Sequence, residues 1–221
     1  MNTKNVLVLA PHPDDESLGC GGTIRLLTQA GKQVDVVFMT RGENGCDAPQ
    51  QQAEHVHAQL AMTREAEARA ACQLLGVSNV EFLRGVDGGL SDQPHLAQSI
   101  EYLLGAGNYH RIFAPWQGEA HLDHQATFRM LQRAVAASGT TPAIWLYEVW
   151  TPLQPTDFVP IDPTMAAKRE AIAQHVSQLA CLDYMNAFVG LASYRALSCP
   201  PSRYAEAFVT LDTPTFLAIK A

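Results

Sequence analysis

Cysteine is scarce in this chain of 221 residues, which contains five. They are scattered and never form a C-x-x-C pair, so their spacing argues against a disulfide framework and against a structural zinc knuckle. Reduced thiols are typical of the cytoplasm, and we therefore expect a cytoplasmic protein. The cysteines are Cys20, Cys46, Cys72, Cys181 and Cys199.

Long apolar runs and an excess of positive charge are also missing. The longest runs, 6–10 and 34–39, are far shorter than the ~20 residues of a membrane helix, so we expect no membrane span. The chain enters a strand-like run without the charged and apolar regions of a signal peptide. Its 22 acidic and 15 basic residues leave a net charge of −7, which argues against a nucleic-acid partner and against docking on an anionic membrane.

The remaining composition is that of a globular protein, since 47% of the residues are hydrophobic and 17% are charged. Strand-like segments alternate with helix-like segments as far as residue 150. Alternation with short connections predicts an α/β fold, with a Rossmann-like, mostly parallel sheet flanked by helices. The predicted strands are 5–10, 33–40, 79–84, 111–115 and 142–150, and the predicted helices are 16–30, 62–75, 92–104 and 123–137.

The pattern changes after Trp150. Four prolines mark an irregular connection, a helix is predicted over 165–179, and a late strand is predicted near 207–211. We interpret residues 1–221 as a single domain, with a core over about 5–150 and an appended C-terminal segment over about 151–221.

The first chemical motif, 11–16 (PHPDDE), directly follows the first predicted strand. Its three acidic residues repel one another unless a positive charge compensates them, and a divalent cation is the simplest compensation. His12 and Asp15 are three residues apart, so both side chains can reach one ion, while Asp14 can face the water that the ion binds. The competing interpretation is a solvated acidic turn that interacts favourably with the dipole of the next helix.

The second motif, 121–124 (HLDH), follows the fourth predicted strand. Catalytic zinc commonly has three protein ligands and an open position for water, and one histidine of this motif would complete a set with His12 and Asp15. The other histidine is then free for acid catalysis, with Asp123 to orient it and to raise its pKa. Sites in parallel sheets form at the carboxyl ends of strands, so the two motifs together favour one site over a chance pair of surface histidines.

Together the two motifs resemble those of the LmbE-like, or PIG-L, family of zinc-dependent de-N-acetylases, and the resemblance runs from about residue 5 to residue 210. It implies a hydrolase that removes acetyl from an N-acetylated amino sugar, such as an N-acetylglucosaminyl conjugate, and releases acetate and a free amine. It also implies Zn²⁺ or another divalent transition metal as cofactor and a small-molecule amino-sugar substrate, and it leaves a homo-oligomer open. Supporting similarities are the segments 21–23 (GGT), 40–45 (TRGENG), 168–178 (KREAIAQHVSQ) and 204–208 (YAEAF).

The same resemblance implies roles for individual residues. The expected zinc ligands are His12, Asp15 and His124. The expected catalytic residues are Asp14 as the general base, His121 as the general acid or oxyanion stabiliser, and Asp123 as the group that orients His121. Contacts with the substrate are expected from Glu43, Arg64, Asp87 and Glu119.

Aromatic residues are candidates for stacking on a sugar ring. Trp116 is the strongest of them, because it lies in a loop close to His121. The other three lie on or near a predicted strand, where a position in the core is the usual outcome; they are Trp145, Tyr147 and Trp150.

Two other functions remain open at this point. A related metal hydrolase that acts on a non-sugar N-acyl amine would use the same ligands, and only the loops around the pocket would distinguish it. A non-catalytic binding module with a structural metal would close the fourth coordination position, and it leaves the unpaired carboxylate of Asp14 without a purpose.

Overall fold

A seven-stranded sheet runs through the part of the chain that the structure, a computed structural model, describes, namely residues 5–45 and 54–220. The predicted strands correspond to the first five of the sheet and to the last in sequence. One short strand was not predicted, because its sequence, DFVP, has neither the length nor the apolar run of the others. The strands are β1 (Asn5–Ala10), β2 (Val34–Thr40), β3 (Asn79–Gly85), β4 (Tyr109–Pro115), β5 (Ala143–Tyr147), β6 (Asp157–Pro160) and β7 (Ala205–Leu211).

Helices cover both faces of the sheet. The single helix predicted over 165–179 is wrong, because the backbone turns at His175 and divides it into two helices. Two more helices, over 184–195 and 213–218, were not predicted. In the first of them the apolar residues are spread around the helix instead of forming one stripe. Within the described residues the α-helices are α1 (Asp15–Gln29), α2 (Glu54–Leu75), α3 (Leu96–Gly107), α4 (Leu122–Ser138), α5 (Met165–Ile172), α6 (Val176–Leu179), α7 (Tyr184–Arg195) and α8 (Thr213–Ala218).

The strand order β3-β2-β1-β4-β5-β7-β6 places β1 and β4 side by side near the middle of the sheet. Strands β1 to β5 pair in parallel, which confirms the predicted Rossmann-like fold, and β7 runs antiparallel to β5 and β6. The chain builds outward from β1 through β2 and β3, and it then returns to the opposite side of β1 with β4. The loops after β1 and β4 therefore diverge and leave a crevice at the carboxyl ends of these strands.

Two hydrophobic cores hold the sheet between the helices. Residues 6–10 of β1 are fully buried, as expected for a central strand that is covered on both faces. Helices α1, α2, α5 and α7 contribute to the core on one face. Helices α3, α4 and α8 contribute to the core on the other face.

The C-terminal segment is built into the same sheet, since β7 pairs with β5. A buried ion pair within this segment also contacts α1: Lys168 Nζ donates to Glu206 Oε1 over 2.5 Å and to the backbone oxygen of Leu18 over 2.8 Å. The Glu206 carboxylate also accepts hydrogen bonds from the backbone N–H groups of Gly22 and Thr23, at 2.9 and 2.7 Å. Because α1 is kinked at Cys20, these bonds cap its second half. We infer that the core and the C-terminal segment form one domain.

No helix in the described part of the chain is long and apolar enough to cross a membrane. Three cysteines, Cys20, Cys72 and Cys199, are free, and Cys46 lies outside the described residues. Cys181 is disulfide-bonded, so the prediction of reduced thiols is wrong for this residue.

Candidate active site

The loops after β1 and β4 bring the two predicted motifs together. Residues 11–14 connect β1 to α1, and residues 116–121 connect β4 to α4. A pocket of about 190 Å³ opens where these loops meet. Its polar lining includes His12, Asp14, Asp15, Arg64, Asp87 and His121.

Three buried side chains, those of His12, Asp15 and His124, converge at the base of this pocket. Asp15 Oδ2 lies 3.3 Å from His12 Nδ1 and 3.2 Å from His124 Nε2. Ring nitrogens of His12, His121 and His124 also lie within 4.8 Å of one another. One carboxylate oxygen and two or three imidazole nitrogens form the mixed donor set that zinc and related transition metals accept.

His124 gives independent support for a cation at this point. Its side chain is fully buried, yet neither ring nitrogen has a hydrogen-bond partner among the described residues. Its nearest charged neighbours are Asp15 Oδ2, 3.2 Å from Nε2, and Glu119 Oε2, 3.7 Å from Nδ1. A buried imidazole that lacks well-aligned hydrogen bonds is costly, and a metal ion on Nε2, beside the Asp15 carboxylate, would remove that cost. The cluster therefore fits a metal.

The opposite side of the His12 ring faces two carboxylates. His12 Nε2 lies 3.1 Å from Asp87 Oδ1 and 3.1 Å from Asp123 Oδ2. Metal-bound histidines commonly donate their second N–H to a carboxylate, which fixes the ring and its tautomer. The Asp123 carboxylate also accepts two backbone N–H groups from the loop after β3, at 2.7 and 3.1 Å. The Asp123 carboxylate thus contacts His12, and Asp123 contacts His121 through its backbone N–H, so its role in orienting His121 stays a prediction.

Asp14 has a strained backbone and a buried carboxylate. Its φ of 141° lies in a region that residues with a Cβ rarely adopt, and such strain costs about 1–3 kcal/mol. Its Oδ2 accepts a hydrogen bond of 3.1 Å from Arg64 Nη2. Burial raises the pKa of Asp14 to about 6, against the opposing effect of the Arg64 charge. A carboxylate with a pKa in this range is suited to accept a proton near neutral pH.

Arg64 joins the loops around Asp14. Besides that carboxylate, its guanidinium donates to the backbone oxygens of Gly42 and Pro13, at 2.9 and 2.8 Å. Gly42 has φ 68°, and a Cβ at this position would lie 2.4 Å from Arg64 Nη1, so only glycine lets the loop close over the side chain. The hydrogen bonds of Arg64 position Asp14. Arg64 also lines the pocket, so its role as a sugar contact stays a prediction.

His121 caps the N-terminus of α4 and faces the pocket. Its Nδ1 accepts a hydrogen bond of 3.2 Å from the backbone N–H of Asp123, so the neutral ring carries its proton on Nε2. Burial lowers the pKa of His121, and the neighbouring rings of His12 and His124 lower it further. The charge of Asp123 raises the pKa of His121, as predicted, but these larger opposing effects make the net shift downward. His121 is therefore a neutral donor, which can stabilise a developing oxyanion.

Glu43 and Asp87 support each other and the cluster. Glu43 Oε1 accepts the backbone N–H of Asp87 at 3.0 Å, and Asp87 Oδ2 accepts the backbone N–H of Asn44 at 2.9 Å. The His12 ring and this hydrogen bond lower the pKa of Asp87 to about 2, although burial alone would raise it. The structure thus assigns Glu43 a supporting position under Asp87, and only Asp87 of the two lines the pocket.

Glu119 and Trp116 do not reach the pocket as predicted. Glu119 is 1% exposed, and its carboxylate accepts the backbone N–H groups of Val149 and Trp150, at 2.6 and 3.0 Å. Trp116 packs against the core next to β4, and its Nε1 donates to a backbone oxygen in the loop after β5. Both side chains face the segment after β5 and hold its backbone in place, and neither lines the pocket.

The chain matches a family model described as GlcNAc-PI de-N-acetylase over residues 7–135, which is more than half of its length. The chain belongs to the PIG-L family. This confirms the resemblance of the two motifs, both of which lie within the matched region.

Named relatives of this PIG-L protein support the same assignment. A Bacillus cereus protein named "Probable N-acetyl-alpha-D-glucosaminyl L-malate deacetylase 2" is 36% identical over 140 residues, which are 60% of this chain and 61% of that protein. The match thus spans less than two thirds of that relative's length. Diacetylchitobiose deacetylase of Thermococcus kodakarensis is 28% identical over 196 residues, which are 80% of this chain and 71% of that protein.

A solved structure shows the same fold. The N,N'-diacetylchitobiose deacetylase from Pyrococcus horikoshii, determined with its inhibitor, superimposes with a TM-score of 0.83 and 26% identity. The superposition covers 97% of this chain and 86% of that one.

The pocket of this PIG-L protein also contains residues that sequence reasoning missed. Trp150 was assigned to the core because the fifth strand was predicted to reach it. β5 ends at Tyr147, so Trp150 lies beyond the strand, is 44% exposed and lines the pocket. Leu182, from the connection between α6 and α7, and Tyr184, the first residue of α7, line it as well, and no polar motif in their sequence indicates a site.

Proposed function

We propose that this PIG-L protein is a zinc-dependent hydrolase that removes acetyl from an N-acetylated amino sugar and releases acetate and the free amine. The observation that carries the proposal is the convergence of His12, Asp15 and His124 beside the separate carboxylate of Asp14 at one pocket. A structural metal site needs no such additional base. The printed names of the relatives, which are deacetylases of N-acetylglucosaminyl compounds, support the same reaction and substrate class.

His12, Asp15 and His124 would hold the metal through Nδ1, a carboxylate oxygen and Nε2. A bound zinc ion supplies Lewis-acid chemistry, because it polarises a carbonyl group and makes water easier to deprotonate. Asp87 and Asp123 would fix the His12 ring from its other side. Glu119 Oε2, 3.7 Å from His124 Nδ1, would restrain the second histidine in a similar way.

Asp14 would act as the general base. Its carboxylate accepts a proton from the attacking water, and Arg64 holds the carboxylate in position for this transfer. His121 would donate its Nε2–H to the oxygen on which negative charge develops. The water oxygen forms a bond to the amide carbon, the C–N bond breaks, the nitrogen takes up the proton that Asp14 accepted, and acetate and the amine leave.

The rest of the proposal concerns the surroundings of the site. The polar pocket wall, with Asp87 and the exposed ring of Trp150, is suited to a sugar, whose hydroxyls need hydrogen bonds and whose faces can stack. A homo-oligomer and a cytoplasmic location stay predictions.

The decisive experiment measures acetate release by the purified protein from N-acetylglucosaminides and from simple N-acetyl amines. Chelation should abolish the activity, and added Zn²⁺ should restore it. Acetate release from the N-acetylglucosaminides, without release from the simple N-acetyl amines, supports the proposal. Preference for simple amines would favour the non-sugar hydrolase, and a metal-loaded protein that releases no acetate from any substrate would reject both.

A further inference from the structure

An apolar cleft continues the active-site pocket at its outer edge. The cleft has a volume of about 270 Å³ and shares Trp150, Leu182 and Tyr184 with the pocket. Its remaining wall comes from Val149 and from one side of α7, which presents Ala187, Phe188 and Leu191. A molecule bound at the metal cluster can therefore extend into the cleft without leaving the protein surface.

The aromatic rings along the wall of the cleft pack against one another. The rings of Trp150 and Tyr184 pack edge to face with their centroids 6.0 Å apart, and those of Tyr184 and Phe188 do so with their centroids 6.1 Å apart. The backbone of Trp150 is held by the buried Glu119 carboxylate. Side chains that are already packed lose little entropy on binding, so the cleft is prepared for an apolar ligand.

The charges around the cleft exclude an anionic ligand. Of the described residues that line the pocket or the cleft, Arg64 is the one with a lysine or arginine side chain, and it is committed to Asp14, Gly42 and Pro13. The single carboxylate in the cleft, Asp183, caps α7 by accepting the backbone N–H of Asn186 at 3.0 Å. A carboxylate or phosphate on the ligand would meet no free cation here, and it would face this acid.

We propose that the cleft is an aglycone subsite, which selects amino sugars that carry an uncharged aromatic or alkyl group. The inference rests on the proposed function. Because the acyl group removed there is acetyl, which has two carbons, the part of the substrate that reaches the cleft is the group attached to the sugar. The cleft therefore determines specificity among substrates that share one reacting amide.

The test compares kcat/KM, measured by release of the free amine, for four substrates. They are the methyl, octyl and carboxymethyl glycosides of N-acetylglucosamine and the methyl glycoside of N-octanoylglucosamine. The octyl glycoside should exceed the methyl glycoside by roughly tenfold or more, as expected for burial of an alkyl chain. The carboxymethyl glycoside should fall below the methyl glycoside.

Variants of α7 then locate the effect. Ala187 is exposed and faces the cleft, whereas the neighbouring exposed Asn186 does not line it. Ala187→Glu should lower the octyl-to-methyl ratio of kcat/KM by about tenfold, and Ala187→Arg should raise the carboxymethyl-to-methyl ratio. Asn186→Glu is the matched control and should leave both ratios unchanged, with melting temperatures showing that each variant is folded.

The outcomes separate this inference from the proposed function. Equal kcat/KM values for the three N-acetyl glycosides would overturn the aglycone subsite while leaving the deacetylase intact. A preference for the N-octanoyl substrate would assign the cleft to the acyl chain and would also overturn the inference. No amine release from any glycoside by the zinc-loaded protein would reject the proposed function itself.

Discussion

The Arg64 guanidinium donates to the Asp14 carboxylate over 3.1 Å, and both side chains are buried. An arginine in this position keeps the carboxylate ionised in spite of burial, and it fixes the oxygen that can take a proton. The pair links α2 to the loop after β1, so part of the catalytic geometry depends on a helix that carries no metal ligand.

Arg64→Ala should lower kcat, because Asp14 loses the group that positions it. Removing one charged hydrogen bond costs about 1.5–3 kcal/mol, which corresponds to roughly a tenfold to hundredfold loss. The loss should be similar for an N-acetyl sugar and for a small acetamide, with the metal content unchanged. A rise in KM confined to the sugar would identify Arg64 as a substrate contact instead.

The two candidate third ligands, Asp15 and His121, can be distinguished by metal analysis. His124→Ala and Asp15→Ala should each reduce bound zinc sharply, whereas His121→Ala should retain zinc and lose about 10²–10³-fold in kcat. Zinc should also raise the melting temperature of the parent protein, since a ligand that binds the native state stabilises it. Zinc loss in His121→Ala would replace Asp15 with His121 in the ligand set.

Asp14→Asn should retain zinc but lose about 10²–10⁴-fold in activity, because an amide cannot accept the proton. The substitution preserves the shape of the side chain, so a folding defect is not expected. Zinc content and kcat measured on the same sample decide the matter. If Asp14→Asn loses zinc as well as activity, Asp14 is a metal ligand and Asp15 is the candidate for the general base.

The backbone at Asp14 predicts a difference in stability between two inactive variants. With φ at 141°, a Cβ is strained, so Asp14→Gly should be more stable than Asp14→Ala by about 1 kcal/mol. Both variants lose the same carboxylate and the same bond to Arg64, which makes them a matched pair. Urea unfolding compares their free energies of unfolding, and equal values would show that the backbone relaxes at no cost.

The buried pair of Lys168 and Glu206 predicts a strong effect far from the pocket. Lys168→Met leaves the Glu206 carboxylate buried without its cation, so it should destabilise the protein by about 3–5 kcal/mol. Adding Glu206→Gln removes the unpaired charge and should recover part of that loss. If the double variant is no more stable than Lys168→Met, the charge on Glu206 is not the cause.

Local sequence patterns determined the parallel half of this protein and the composition of its metal cluster. Continuous apolar runs identify β1 and β2, because buried parallel strands need such runs, and the alternation with helices identifies β3 to β5. The motifs at residues 11–16 and 121–124 lie at strand ends where sites form. The two motifs supply the candidate metal ligands, and the order of strands and helices places both motifs at the same edge of the sheet. β6 and α7 lack a distinct pattern, since their side chains pack against elements distant in sequence.

Only the tertiary structure decided which partner each polar side chain takes. Asp123 turns to His12, Arg64 turns to Asp14, and Glu119 is buried behind the metal cluster. Each of these contacts joins segments far apart in the sequence. A buried charged group needs a hydrogen-bond or ion-pair partner, and only the folded structure shows which partner lies within reach. The contact between Trp150 and Tyr184 was not predicted from the sequence either, because it forms only where the loop after β5 meets α7.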